Sequence, residues 1–239
     1  MEQGRINIAN LLGMARTAVE ARNDDEAISY FNRVLEIDPT VSEAWLGKGY
    51  AVSRQSSLAN VRMREMAVAF GHAIATTPPS VQPETAHLAI AELTNVGMAT
   101  LIQMLEYVAQ FISVAGTAER RASVSLAILD AMGVGMRWMP DYEPGLRLIV
   151  NVGKEALAGG LSPAQTAEVE AKIAEARKTL RVINPDMAAA EDLAEADAGK
   201  LAQVRAEAAA HQRKVDGWAT YVGLGIAAFF ALLWLLVRA

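Results

Sequence analysis

Three histidines, His72, His87 and His211, are the side chains of this 239-residue sequence best suited to metal or proton chemistry near neutral pH. None has a second histidine one helical turn away or an acid-rich ligand spacing, so each reads as a solvated or core histidine. Cysteine is absent, which removes disulfides, Cys-ligated zinc and thiol catalysis and suits a reducing compartment. No phosphate-binding glycine loop, dinucleotide fingerprint or nucleophile elbow occurs. The run Gly133-Val134-Gly135 lies in a helical, Met-rich context and reads as a packing or kink site. Arg120-Arg121-Ala122-Ser123 has the form of a basic kinase site, a match short enough to arise by chance. The expectation is therefore a chain that is not an enzyme and that uses no metal or cofactor.

What remains is binding, and the elements available to build a binding surface are helices. Fifty-two percent of residues are hydrophobic, only 6% are aromatic, and alanine is abundant, a composition that favours helix over sheet. The net charge of -5 is spread along the chain, which gives nucleic acid no basic face to meet. Arginine outnumbers lysine 16 to 6, which with the alanine excess points to a GC-rich bacterial genome.

The 27 residues from Asp24 to Tyr50 hold a helix, a short turn and the start of a second helix. Asp24, Asp25 and Glu26 supply acids and a capping side chain where free N–H groups and the helix dipole favour them, and Glu43 does the same for the next helix. Pro39 stops the first helix because it lacks an N–H and clashes with the preceding turn. Small Ala15, Ala27 and Gly49 allow helices to approach closely, and Phe31 and Trp45 are expected to fill the space between one helical hairpin and the next.

These positions follow a 34-residue pattern. From Ile8, Leu11, Ala15, Ala18, Ala27, Phe31, Val34 and Pro39 occupy successive pattern sites, and one period later Trp45, Gly49 and Val52 repeat the first of them. Met66, Phe70, Ala73 and Pro78 keep the spacing but arrive five residues late, which places an insertion around 53–60. Over residues 8–79 the chain resembles the tetratricopeptide repeat (TPR) family. The resemblance implies an all-α, TPR-like helical-hairpin solenoid whose concave face is lined by the first helix of each repeat. By position, it makes Leu12, Arg16, Glu43, Leu46, Tyr50 and Arg54 the candidate partner-binding residues. Family members that grip a carboxylate terminus use a Lys/Asn clamp, and the corresponding places hold Leu12, Arg16 and Gly47, so that specialised function is not expected.

Beyond the repeats, a Pro-rich joint at 79–83 precedes a helix expected from Glu84 to about Ala115, with Leu101, Leu105, Val108 and Ile112 along one face. Residues 96–116 are apolar enough to pose the question of a membrane span, but Glu106 would be costly there, so a core helix is expected. A helix from about Thr117 to Trp138 is expected to end at Pro140 and Pro144, and another to run from Gly145 to Leu157. Ser162 caps a helix with Pro163 in its first turn that ends at Asn184 and Pro185. Residues 80–185 thus read as divergent helical hairpins continuing the stack. Met132, Met136 and Met139 are either adaptable binding surface or core filler, with core favoured.

Residues 186–217 are rich in Ala, Glu, Asp and Gln and read as a helical linker, about 48 Å long if continuous. Leu201, Val204, Ala208, His211 and Val215 follow a spacing that could seat a weak coiled coil, although Gly199 favours an isolated helix. Residues 218–237 then give twenty residues without a charge, about 30 Å as a helix, with Trp218, Tyr221 and Trp234 near its boundaries, which predicts one C-terminal transmembrane helix. Ala219, Gly223, Ala227 and Ala231 make a small-residue stripe along it that could pair membrane helices, including those of a homo-oligomer. The N-terminus carries no run of signal-peptide length, so the amino-terminal domain is expected on the cytoplasmic side, at a bacterial inner membrane.

The functional expectation is a single-pass scaffold that recruits or assembles protein or peptide partners at the cytoplasmic face. The alternative is a small accessory or assembly subunit of a larger membrane complex, with the middle helices packed against a partner.

Overall fold

The computed structural model describes residues 2–186 together with Lys200 and Gln203. The expected stalk apart from Asp186, Lys200 and Gln203, the transmembrane helix at 218–237, its stripe of Ala219, Gly223, Ala227 and Ala231, and His211 lie outside the described residues. Met1–Asn184 forms one compact unit and Pro185–Ala239 a second. Among the described residues the first unit is all-α: α1 Glu2–Glu20, α2 Asp24–Ile37, α3 Ser42–Gln55, α4 Met63–Thr76, α5 Gln82–Phe111, α6 Thr117–Gly135, α7 Glu143–Ala158 and α8 Pro163–Ile183.

Local chemistry sets the helix ends. After α1 the Asn23 N–H donates to the Ala18 carbonyl at 2.9 Å and the Arg22 N–H to Val19 at 3.0 Å, with Arg22 held at φ 56°. This is the hydrogen-bond pattern of a left-handed helix stop, made here without glycine. The cap of α2 corrects the sequence expectation: Asn23, not an aspartate, is the N-cap, and its side chain accepts from the Glu26 N–H while donating to the Glu26 carboxylate at 2.8 Å. Asp24 and Asp25 are thereby left to reach across to α3. The connection at 56–62 is the longest within residues 8–79, consistent with the expected insertion, and it is tied by the Arg62 N–H donating to Ser56 Oγ at 3.1 Å. Ser162 and Gln165 form a reciprocal capping box at the start of α8.

Two differences concern proline and chain reversal. Pro144 sits in the first turn of α7 and opens that helix rather than ending its predecessor, because a missing N–H costs nothing there. Helix α6 stops at Gly135, short of Trp138, and a tighter turn follows, with the Trp138 N–H donating to the Gly135 carbonyl at 2.9 Å.

Helices α1 and α2, then α3 and α4, form hairpins, with α2 packed on α3 between them; α5, α6, α7 and α8 continue, each on its neighbour, and α4 also touches α6. The buried residues fall into two clusters. One holds Leu11, Leu12, Phe31 and Val34 with Ala44 and Ala51 of α3, and the other runs from Val52 through α4–α8 to Leu180. Residue 79 therefore divides no core; the change of cluster falls within α3.

Close helix approaches use the glycines. A Cβ on Gly47 would collide with the Phe31 ring and one on Gly49 with the Phe70 ring, while Gly135 lies against Ile90 and Leu93. The expected roles of Ala15, Ala27, Gly49 and Phe31 hold, since all four are buried. Trp45 differs. It stays half-buried, its ring stacked on His72 of α4 with centroids 4.3 Å apart and its N–H donating to the Pro39 carbonyl at 2.8 Å. An indole needs a partner for its N–H, and here the α2–α3 turn supplies it at the surface.

Helix α5 is the one helix among the described residues long and apolar enough, by length and composition, to cross a membrane. As far as residue 104 it buries Ala89, Ile90, Leu93, Gly97, Leu101 and Met104 against the other helices. The expected apolar face does not continue: Leu101 is buried, but Leu105 is exposed and Ile112 is 76% exposed. The last turns of α5 project past the helices that cover its start.

Candidate groove between the first and third helices

Helices α1 and α3 both pack on α2, and between them lies an open groove of about 420 Å³. Phe31 of α2 reaches it from below because Gly47 has no side chain to block the ring. Leu46 and Tyr50 of α3 line it with Val19 of α1, and Arg16, Glu20, Glu43 and Arg54 complete its edges. The structure thus brings together five of the six sequence-predicted contact residues: Arg16, Glu43, Leu46, Tyr50 and Arg54.

Leu12 is the exception and a correction. It is buried in the α1–α3 cluster with Leu11 and Ala15, because it lies one turn before Arg16 where α1 turns its apolar side toward α2. Val19 and Glu20 take its place in the groove. They were legible in principle, since they follow Arg16 by three and four residues on the same helical face. Phe31 was recognisable as a packing residue and Gly47 only as a place where the carboxylate clamp is missing; neither read as the floor of a groove.

Two cross-helix ion pairs fix the charged edges. Arg16 meets Glu43 at 2.6 Å, joining α1 to α3, and Arg54 meets Asp24 at 2.6 Å, joining α3 to α2. The first pair is largely exposed and is worth little to stability. The second is more sheltered, and beside it Gln55 donates to Asp25 at 2.7 Å. Both arginines are therefore held by carboxylates of the same chain.

At the α5 side of Tyr50, the Ser53 hydroxyl donates to the Glu92 carboxylate at 2.6 Å, linking α3 to α5. Burial pushes the Tyr50 hydroxyl above its ordinary value, and the Glu92 charge adds to the rise. Tyr50 thus stays a neutral donor under all physiological conditions, its ring edge-on to Phe70.

A second cavity, of about 310 Å³, lies among α6, α7 and α8 and is bordered by Leu129, Met136, Leu146, Ile149 and Ala176. Lys172 at its edge is lowered by burial, but hydrogen bonds to Glu168 and Asp130 outweigh that and hold it above its ordinary value. Met132 is fully buried and Met136 and Met139 pack partly against the core, so the methionines serve chiefly as filler. His72 and His87 are ring partners, of Trp45 and Tyr142, and no cluster of three metal-ligating side chains occurs among the described residues.

No protein family matches the chain, and no curated protein matches it. Among solved structures, the chain is similar to the MamA RS-1 ArsTM double mutant, at 12% identity and a TM-score of 0.32, over 75% of this chain and 98% of that one.

Proposed function

We propose that this chain is a membrane-anchored scaffold of TPR-like hairpins, which uses the α1–α3 groove to recruit or assemble partner proteins at the cytoplasmic face of a membrane. The observation that carries the reading is the groove itself: an apolar floor of Phe31, Leu46 and Tyr50, open to solvent, with charged side chains set along its edges. That combination of apolar floor and polar rim suits a peptide or helix of another protein. The uncharged stretch 218–237 supplies the anchor, and the small-residue stripe within it would allow two anchors to pair. The role assigned to the chain is binding, without catalysis, cofactor or nucleic acid.

Capture from the native membrane in mild detergent tests the reading, with full-length protein compared against a combined Leu46→Ala, Tyr50→Ala and Arg54→Ala variant. A soluble protein captured by the first and released by the second supports the scaffold. Capture of integral membrane proteins alone, unchanged in the variant, would replace it with the second reading.

That second reading is an accessory or assembly subunit, and the exposed end of α5 favours it. Ile102, Leu105, Ile112 and Val114 leave an apolar strip uncovered, Ile112 most of all. In this case Ile112→Glu would release the integral membrane partner and leave the fold intact.

A further inference from the structure

The end of α5 and the turn after it form an uncovered apolar tip. Every residue from Ile112 to Gly116 is exposed, Ile112 at 76% and Val114 at 53%. The sequence carries no charge from Tyr107 to Ala118, and Glu106 and Glu119 bracket that stretch. At the base of the tip the Tyr107 and Phe111 rings pack together with centroids 4.9 Å apart, and the Arg120 guanidinium lies 5.8 Å from the Tyr107 centroid. The turn pairs polar groups within itself: the Val114 N–H donates to the Phe111 carbonyl at 2.9 Å, and the Thr117 hydroxyl donates to the same carbonyl at 2.8 Å. Such pairing is what a turn needs where water is scarce.

We infer that this tip sits in the boundary layer of the membrane that anchors the chain, with Ile112 and Val114 among the acyl chains and Glu106, Glu119 and Arg120 among the head groups. The inference rests on the C-terminal anchor of the scaffold reading, and it gives the uncovered end of α5 to lipid in place of a membrane protein. Lipid adapts to any apolar shape, whereas a stable protein interface buries about 800 Å² of matched surface on each partner, and one projecting turn is poorly suited to that. Aromatic rings and a cation below an apolar tip are the side chains that membrane boundaries favour. A few apolar side chains hold a free protein to a bilayer only weakly, but a tethered one meets the surface at high effective concentration. The segment 185–217 spans about 50 Å as a helix and roughly 110 Å fully extended, which keeps the tip within reach. Glu106 limits the depth: a carboxylate is costly at the bilayer centre, so α5 enters by its tip and does not cross.

The test uses the full-length chain in liposomes with no other protein present. Because the sequence has no cysteine, Ser113→Cys and Ser80→Cys each give a single attachment point for an environment-sensitive fluorophore. Both serines are exposed, and the 30-residue α5 holds them about 45 Å apart. Flotation through a density gradient first establishes anchoring. The label at position 113 should then emit as in an apolar medium and be quenched by lipids that carry a nitroxide high on the acyl chain; the label at position 80 should do neither. Adding Ile112→Glu and Val114→Glu should return position 113 to water-like emission with flotation unchanged, and since both side chains are exposed the fold is kept. Water-like emission at position 113 in protein that floats would overturn the lipid assignment, leave the anchor standing and return the tip to a protein partner. Apolar emission that the nitroxide lipids do not quench, and that grows with protein density, would overturn it in favour of a second copy. Quenching at position 80 as well, or quenching that survives the two glutamates, would overturn it as a property of the label. Wild type that fails to float would overturn the anchor and this inference together.

Discussion

The α1–α3 cluster and the α4–α8 cluster are built from different materials. Five of the nine buried residues of the first are alanine, against five of twenty-five in the second, where Leu, Ile, Val and Met predominate. Small side chains bring α1 and α2 close and leave Phe31 to fill most of the remaining space. In the second cluster many branched and flexible side chains share the work, and its glycines make slots for Ile and Leu at Gly97, Gly135 and Gly153 as well as for the Phe70 ring at Gly49. The economical packing at the amino-terminal end also leaves α1 and α3 apart above α2, so the groove is a product of that packing. A region that depends on one ring is fragile at that ring; a region of many aliphatic contacts spreads its losses.

The strongest break of this comparison removes a ring from each cluster. Phe31→Ala and Phe70→Ala should each cost about 3–5 kcal/mol, because both rings are buried, Phe70 completely and Phe31 but for the edge that reaches the groove. Their effects should differ in place. Hydrogen exchange followed by mass spectrometry is expected to rise in α1 and α2 for Phe31→Ala with α6–α8 unchanged, and across α3–α8 for Phe70→Ala. Equal loss of protection in α6–α8 for both would make the two clusters one cooperative unit.

A smaller effect of opposite sign sharpens it. Arg22 occupies the left-handed conformation at the end of α1, where a side chain is strained and glycine is not. Arg22→Gly should raise stability by about 0.5–1 kcal/mol, read from the urea midpoint, and should reduce exchange in the α1–α2 turn alone. No shift, or a loss, would place the cost of that turn elsewhere.

The smallest effect lies at the far end of the other cluster. Glu143 begins α7, and hydrogen bonds from Arg147 first and Asn184 second hold its carboxyl below the ordinary value of 4.5. A carboxylate lowered by folding contributes stability that is present above its unfolded value and is lost as pH falls through the folded one. Wild type should therefore lose stability on acidification below about pH 4.5 more steeply than Glu143→Gln, with the two melting curves converging in acid. Parallel profiles would mean that this contact is not maintained in solution.

The helices and their junctions were largely legible because their signals are local. Ser162 with Pro163, the acids before Ala27 and the proline after Asp38 act on their own turns, and the helices begin and end near them. The capping residue of α2 was misplaced because Asn and Asp compete for the same role, and only the pairing of Asp24 with Arg54, 30 residues away, leaves Asn23 as the cap. The groove was legible in five residues because a helical period places them on one side of α1 and α3. Leu12 failed because the same period cannot tell which flank of a helix meets a neighbour and which meets solvent.

Sequence alone determined an all-α unit of paired helices, the small residues at their crossings and the uncharged stretch near the C-terminus, because propensity, capping and periodicity depend on neighbours within a few residues. Tertiary structure decided what those helices leave open. The floor that Phe31 gives the groove through Gly47, the capture of Arg16 and Arg54 by carboxylates of other helices, the Ser53–Glu92 link between α3 and α5, and the uncovered end of α5 all depend on distances between residues far apart in the chain. Periodicity assigns each side chain to a helix face, but exposure and charge balance arise only when faces from different helices are brought together.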